Sequence, residues 1–186
     1  MSRSRLIDLI MGLCVIGDSM LYVTLPPTYL DLGLDNQITG LILSVNRFSR
    51  IAFNPFAALV IARLGYKRTA IVCSIMAIVC TTGYSVVHSP FLWLALRIMW
   101  GLTWSLIRLT AMLVTLEEAR AGTRGQALGL MQRLVRVGSV TGTFVGGFLL
   151  DRIGFRPTAL VLGAVTALSL IVALLQIGRA SCRARV

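Results

Sequence analysis

Two stretches of the 186-residue sequence share one pattern: FAALVIARLGYKRTA at residues 56–70 and GGFLLDRIGFRPTA at residues 146–159. In each, an apolar segment runs into an arginine, a glycine two positions later, an aromatic residue and a basic residue. Arg63 begins this motif in the first copy and Arg152 begins it in the second, 89 positions further along. The offset is close to half the chain, so the sequence predicts an internal duplication.

Composition places the chain in a membrane. Hydrophobic residues make up 56% of it and charged residues 13%, and the mean hydropathy is +0.84, which leaves too little polar surface for a water-soluble globule. Crossing a hydrocarbon core of about 30 Å takes roughly 20 helical residues. Six continuous apolar windows have this length: residues 6–25, 38–61, 69–87, 91–116, 127–150 and 158–177. We therefore predict an all-α polytopic membrane protein with six transmembrane helices and no strands, because the apolar runs do not alternate.

The basic residues between these spans predict the orientation of the chain. Seven fall on one side of the predicted membrane and two on the other. The seven are Arg3, Arg5, Arg63, Lys67, Arg68, Arg120 and Arg124, and the two are Arg152 and Arg156. Because cytoplasmic loops carry the excess of Lys and Arg, both termini are predicted to be cytoplasmic, in a plasma (inner) membrane.

Other classes of function find little support in the sequence. The net charge of +11 does not indicate nucleic-acid binding, because the basic residues are scattered among apolar spans and form no stripe with aromatic residues. Cys14, Cys73 and Cys80 lie inside predicted spans as small apolar residues, and no metal-type Cys/His cluster is visible. An intramembrane enzyme would need a nucleophile–base or metal constellation, which one histidine and no clustered carboxylates cannot supply. We expect no catalytic residue, no metal and no cofactor.

Several ionisable residues lie inside the predicted spans. Because a charge in the hydrocarbon region costs free energy, each of them is a candidate functional residue. The candidates are Asp18 in the first span, Arg47 and Arg50 in the second, Arg97 and Arg108 in the fourth, and Arg133 and Arg136 in the fifth. Polar residues at helical spacing accompany the arginines of the second and fourth spans. Such stripes predict a wet cavity with a substrate or proton pathway formed by Asp18, Asn46, Arg47, Arg50, Arg97, Trp104 and Arg108.

A purely structural interpretation competes with this one. Asp18 could pair with Arg47 or Arg97 only to hold helices together, and Arg133 and Arg136 could extend toward lipid headgroups or meet Glu117 and Glu118. We favour the structural interpretation for Arg133 and Arg136, which lie within reach of the cytoplasmic face. For the other three residues we favour function, because a lone carboxylate beside cations can exchange a proton, or its place, for a substrate anion.

The fifth span contains GSVTGTFVGG at residues 138–147, in which Gly138, Gly142 and Gly146 recur every four residues with Gly147 beside them. Small residues at this spacing let a neighbouring backbone approach closely, so tight helix packing is the simplest interpretation. The stretch also resembles the antiporter motif of the major facilitator superfamily, G-x-x-x-G-P-x-x-G-G, with Thr143 in place of the proline.

Two further segments resemble the same family. RIMWGLTW at residues 97–104 is similar to its fourth-helix pattern, an arginine followed four residues later by a glycine. ALVIARLGYKRT at residues 58–69 resembles its cytoplasmic signature loop, G-x-L-A-D-R-x-G-R-K, matched at Arg63, Gly65 and Lys67. Two alanines stand where that pattern has its first glycine and its aspartate. The resemblance covers essentially residues 6–178.

The resemblance implies an architecture and a function. Six helices of such a transporter form two inverted three-helix repeats, here residues 1–88 and 89–178, and the repeated motif would then end equivalent helices. The chain would be the N-terminal six-helix half of a twelve-helix secondary active transporter, without its C-terminal half. We expect proton-coupled export of small organic solutes, with membrane lipid, a proton and a small-molecule substrate as partners. The basic excess favours a substrate with an acidic group.

Two alternatives accompany this interpretation. One is an organic-anion symporter or uptake carrier of the same family, and the other is a six-helix membrane scaffold or inactive fragment. The chain ends in IGRASCRARV, which resembles the translation of a sequencing-adapter read-through with Ala184 in place of Glu. We therefore expect the basic tail at residues 179–186 to be an artefact, the alternative being a natural basic tail that obeys the positive-inside rule.

Overall fold

The computed structural model describes residues 2–120 and 122–183. Within these ranges the protein is helical and contains no strand, which confirms the all-α prediction. The helices are α1 (Arg3–Ser19), α2 (Leu21–Thr28), α3 (Asn36–Gly83), α4 (Pro90–Glu118), α5 (Arg124–Ile153) and α6 (Phe155–Arg183). The last turns of α6 reach into the basic tail expected at residues 179–186, and residues 184–186 lie outside the described ranges.

Five helical segments of the described chain are long and apolar enough to cross a membrane. They are Arg3–Thr28, Asn36–Gly83, Pro90–Glu118, Arg124–Ile153 and Phe155–Leu174. Their outward faces carry large apolar side chains, such as Phe91 at 82% and Phe144 at 76% exposure. Exposed aromatic rings of this kind are costly in water and match the hydrocarbon of a bilayer.

The first membrane helix, formed by α1 and α2, runs further than the sequence predicts. The predicted window ends at Leu25, just before Pro26 and Pro27, which lack a backbone N–H and cannot donate a helical hydrogen bond. Instead α2 continues through both prolines to Thr28. The Thr28 hydroxyl adds a hydrogen bond to this last turn, because it donates to the backbone oxygen of Thr24 at 2.6 Å.

The long helix α3 is broken at Gly65, within the first copy of the repeated motif. Its 48 residues would extend about 72 Å if straight, more than twice the thickness of a hydrocarbon core. At Gly65 the backbone takes φ 74° and ψ 159°, a conformation that is essentially restricted to glycine. The Thr69 hydroxyl then donates to the Gly65 oxygen at 2.9 Å and starts the second part of the helix.

The second copy of the motif repeats this local structure. Gly154 separates α5 from α6 with φ 78° and ψ 176°. The Thr158 hydroxyl donates to the Gly154 oxygen at 2.7 Å, and Thr158, like Thr69 in the first copy, is fully buried. The two stretches that share a sequence pattern therefore share a backbone break and the side-chain hydrogen bond that follows it.

Helix α1 lies at the centre of the bundle, in contact with α3, α4, α5 and α6. Close approach on one side depends on Gly17, where an added side chain would collide with Thr81 of α3 and Thr166 of α6. Nearer the end of the bundle, Trp93 of α4 is fully buried and stacks on Tyr84 with 5.2 Å between ring centroids. The opposite side of α1 borders a polar cavity.

Candidate functional site

A cavity of about 460 Å³ opens between α1, α3, α4 and α5, with Tyr22 of α2 at its wall. Its charged lining residues are Asp18, Arg47, Arg50, Arg108 and Arg136. Trp104 also lines it, whereas Asn46 and Arg97 are fully buried behind the wall. The polar stripes that the sequence shows on the second and fourth spans therefore converge on one cavity.

Asp18 forms an ion pair with Arg97, between Nη1 of the arginine and Oδ1 of the aspartate. Arg97 is fully buried and its other nitrogens are also used: Nε donates to the backbone oxygen of Ile42 at 3.1 Å and Nη2 donates to the Tyr22 hydroxyl at 3.2 Å. The sequence left Arg47 and Arg97 as alternative partners of Asp18, and in the structure the partner is Arg97. A buried charge is stable only when it is paired and hydrogen-bonded in this way.

A chain of polar contacts extends from this ion pair across the cavity wall. The Asn46 amide donates from Nδ2 to the Tyr22 hydroxyl at 3.2 Å, and Arg50 Nε donates to Asn46 Oδ1 at 2.9 Å. The Arg50 guanidinium carbon lies 4.7 Å from the centroid of the Trp104 ring, a cation–π distance. Tyr22 links the two halves of this chain, because its oxygen accepts from both Arg97 and Asn46.

Tyr22 was missed at the level of sequence, where a tyrosine near the end of an apolar span suggests only an interfacial residue. One signal could have identified it. Tyr22 follows Asp18 by four residues, so the two side chains share one face of a membrane helix. A polar residue at that spacing from an intramembrane carboxylate is a candidate second member of the same site.

The remaining arginines of the cavity have no acidic partner in the described part of the chain. Arg47, Arg108 and Arg136 are exposed to the cavity and form no ion pair or side-chain hydrogen bond with another described residue. For Arg136 this corrects the expectation that it extends toward headgroups together with Arg133. Arg136 lies on the cavity face of α5 with Ser139 and Thr143, whereas Arg133 does not line the cavity.

The glycines of α5 bring that helix into direct contact with the backbone of α1. A side chain at Gly138 would collide with the backbone oxygen of Gly12, and one at Gly142 would collide with that of Ile16. Added carbons at Gly146 and Gly147 would lie 2.6 Å from Met20 and 3.2 Å from Val23, respectively. The four glycines of the antiporter-like motif thus occupy one closely packed helix interface beside the cavity.

Hydroxyl groups continue the α1–α5 contact toward the cavity. Ser19 donates to Ser139 at 3.0 Å between side-chain oxygens, and Thr143 donates to the Ser19 backbone oxygen at 3.4 Å. Thr143 occupies the position where the family motif has proline. Its helix continues without interruption, and its hydroxyl joins the two helices instead.

The segment that resembles the signature loop contacts the end of α4 through an aromatic residue. Gly65 provides the break in α3, while Arg63 and Lys67 form no ion pair in the described structure. Tyr66 between them donates its hydroxyl hydrogen to Glu117, and the Arg3 guanidinium lies 5.1 Å from its ring centroid. The loop therefore ties the N-terminus to the C-terminal end of α4.

A second buried carboxylate, Asp8, lies near the same end of the bundle. It is 2% exposed and accepts a hydrogen bond from the Thr115 hydroxyl at 3.3 Å. Asp8 lies two residues inside the first predicted span but is not among the predicted site residues. No group of three or more metal-ligating side chains occurs among the described residues.

These features define a class of protein, a polytopic helical membrane protein whose interior charges converge on a polar cavity. The profile described as Major Facilitator Superfamily matches residues 7–181. The chain belongs to the major facilitator superfamily, whose members are transporters rather than enzymes.

Two curated relatives come from two strains of Streptococcus pneumoniae, and both are named multi-drug resistance efflux pump PmrA. Each is 26% identical to the chain over 156 residues. The match covers 81% of this chain and 39% of each relative, so the chain spans about two-fifths of the length of these relatives. Together the comparisons confirm the family resemblance of the sequence motifs and a place in a membrane.

Proposed function

We propose that the chain is the N-terminal six-helix half of a proton-coupled exporter of small organic solutes, in which Asp18 carries the coupling proton. The observation that carries the proposal is the ion pair between Asp18 and the buried Arg97 at the edge of the cavity. A carboxylate in this position can exchange a proton with cavity water while a solute occupies the same lining. The family and the printed name of the relatives support transport and export.

Protonation of Asp18 changes the contacts of α4. With Asp18 ionised, the pair carries no net charge. A proton on the carboxylate leaves the Arg97 charge uncompensated and weakens its contact with α1. Arg97 keeps its hydrogen bonds to Ile42 of α3 and Tyr22 of α2. Binding and release of one proton thus shift α4 between two sets of contacts, which is the kind of bias that a two-state transport cycle requires.

The proposed half contains six membrane crossings, because α3 supplies two. The break at Gly65 lies between two apolar stretches, each long enough to span. The matching breaks at Gly65 and Gly154 support two related three-helix units, residues 1–88 and 89–178. The basic residues beside Gly65 and at the N-terminus support cytoplasmic positions for that loop and for both termini.

Single-cysteine labelling in intact cells tests this topology. In the complete protein with its native cysteines replaced, Lys67→Cys is expected to resist a membrane-impermeant maleimide, whereas His88→Cys and Arg156→Cys react. The matched control is lysis, after which Lys67→Cys should react equally. Reaction of Lys67→Cys before lysis would show that the Gly65 loop faces outward and that the proposed topology is wrong.

A further six-helix unit is proposed to cover the open side of the cavity. Arg47, Arg108 and Arg136 are exposed on that side, and charged side chains inside a bilayer face a bundle interior or water rather than lipid. The length of the relatives leaves room for such a unit. The two units would then enclose the solute near the middle of the membrane.

The unpaired arginines also favour a second candidate, an organic-anion symporter. Among the described residues, Asp18 is the single carboxylate that lines the cavity, facing four lining arginines. Protonating it makes the cavity more positive, so an anion binds more tightly when the proton is present. Ligands that strengthen each other's binding in this way travel in the same direction.

A proton-flux experiment separates these functions. The complete protein is reconstituted in liposomes that contain a pH-sensitive dye, and organic cations or anions are added outside. An exporter that exchanges solute for proton is expected to make the lumen more alkaline, whereas a symporter makes it more acidic. If no solute moves protons above the level of protein-free liposomes, the transport proposal fails and the membrane-scaffold alternative is favoured.

A further inference from the structure

The cavity between α1, α3, α4 and α5 has a strong excess of positive charge. Arg47, Arg50, Arg108 and Arg136 line it, and Asp18 is the single acidic residue among the described residues that line it. Asp18 is already neutralised by Arg97 from behind the wall. The cavity therefore presents four guanidinium groups to a ligand without an acidic partner in the described chain.

The arginines differ in how firmly they are held. Arg50 is fixed by its hydrogen bond to Asn46 and by its position over the Trp104 ring, which leaves its terminal nitrogens for a ligand. Arg47, Arg108 and Arg136 have all their donors available, since none hydrogen-bonds to another described residue. Guanidinium groups donate in a planar fork that matches carboxylate, sulfonate and phosphate oxygens.

The size of the cavity agrees with a small organic ligand. The part of the cavity formed by this chain has a volume of about 460 Å³, which already lies within the usual range for small-molecule sites, about 300–1,000 Å³. A second cavity of about 330 Å³ continues along α3 and α4 and shares Arg50, Trp104 and Arg108 with the first. A single negative charge would leave three of the four guanidinium groups uncompensated, so a ligand with two charges suits this lining better.

We propose that the substrate bound here is a small organic dianion, held by guanidinium groups from three different helices. This inference rests on the proposed transport function, and because an anion and a proton strengthen each other's binding in this cavity, it favours the symporter of the two candidates. Arg47 and Arg50 approach from α3, Arg108 from α4 and Arg136 from α5. The recognised chemistry is two negative charges on one small molecule, whether carried on two groups or on one phosphate.

Calorimetric binding to the purified complete protein tests the proposal. The probes are meta-benzenedisulfonate and phenyl phosphate as dianions, benzenesulfonate as the matched monoanion and tetraphenylphosphonium as an organic cation. We expect at least one dianion to bind about tenfold more tightly than the monoanion, because one further charge-assisted hydrogen bond contributes about that factor. Comparison of the two dianions shows whether the charges belong on two groups or one. If neither dianion binds more tightly than benzenesulfonate, the proposal is overturned, whatever the cation does.

Arginine variants locate the binding site. Arg47→Gln, Arg108→Gln and Arg136→Gln remove cavity charges, and Arg133→Gln removes the same charge from the same helix as Arg136 but outside the cavity. We expect at least two of the three cavity variants to weaken dianion binding about tenfold, with Arg133→Gln within about twofold of the parent. Weakening in one or none of the cavity variants would place the dianion elsewhere and refute the assignment.

The binding result is separable from the result for transport. Dianion binding without proton-linked flux would keep the anion site and refute the proposed transport function. Proton-linked flux of tetraphenylphosphonium without dianion binding would keep the transport function and refute the anion site.

Discussion

Asp18→Asn is expected to reduce proton-driven flux through the complete transporter to the level of protein-free liposomes. Asparagine has nearly the shape of aspartate and can still accept a hydrogen bond from Arg97, so membrane insertion and elution as a single species should persist. The amide cannot bind or release a proton in the working pH range, and the transport cycle therefore loses its coupling. The measurement is the rate of internal pH change after solute addition, at equal amounts of inserted protein.

Asp151→Asn is the matched control, because it removes the same charge from an exposed position at the end of α5. Its proton-driven flux should equal that of the parent protein. Exchange of labelled for unlabelled solute without a pH gradient should survive in Asp18→Asn, since it needs no net proton movement. Normal proton-driven flux in Asp18→Asn would remove Asp18 from the mechanism and leave the ion pair with a structural role.

Gly142→Ala is expected to be the most destabilising single-methyl change on α5. The added carbon would collide with the backbone oxygen of Ile16, and a backbone atom cannot rotate away as the end of a side chain can. The helices α1 and α5 must separate or tilt, which costs about 3 kcal/mol. The midpoint of unfolding in mixed detergent should fall accordingly.

Gly129→Ala makes the same substitution on the same helix at a position with no atom within 4 Å of the added carbon. It should be neutral, or stabilising by up to about 1 kcal/mol, because alanine favours a helix over glycine. Comparing the unfolding midpoints of the two variants therefore separates the cost of the collision from the change in helix propensity. Equal unfolding midpoints for the two variants would contradict the close contact of α1 with α5.

Much of the site could be predicted from sequence because lipid makes charge so costly. An ionised Asp18 inside the membrane requires a cationic partner, and few arginines lie at a comparable depth in their spans. The polar stripe around Arg50 and Trp104 followed from helical spacing alone. By contrast, the selection of Arg97 over Arg47 depends on how α3 and α4 rotate about their axes, which no periodicity within one helix determines.

Three other features were not predicted, each for a separate physical reason. The Tyr22 hydroxyl contacts groups from different helices, whereas the residues on either side of Tyr22 in the sequence are apolar. Arg136 differs from Arg133 only by the face of α5 on which it lies. The extension of α2 through its two prolines was not expected, because each proline removes a backbone donor, whereas the Thr28 hydroxyl supplies a hydrogen bond to Thr24 in the same turn.

Within the fold, the two copies of the repeated motif share a local structure that was not predicted from the sequence. Gly65 and Gly154 adopt the same backbone conformation because only glycine tolerates it at low cost. Each is followed by a threonine that donates to the glycine oxygen. Neither the conformation nor the hydrogen bond could be deduced from hydropathy, which marks the surrounding residues only as the boundary between two spans.

The backbone contact along the α5 glycines also limits how the helices can move. Gly138, Gly142 and Gly146 meet α1 once every four residues, a step of about 6 Å along the helix axis. Sliding α5 along α1 by part of a step would put a larger residue where a glycine is required, so the two helices stay in register. Asp18 on α1 and Arg136 on α5 then keep a constant relative height through any conformational cycle. We expect displacement to fall on other contacts of α1, such as the one with α4 that passes through the long, adjustable side chain of Arg97.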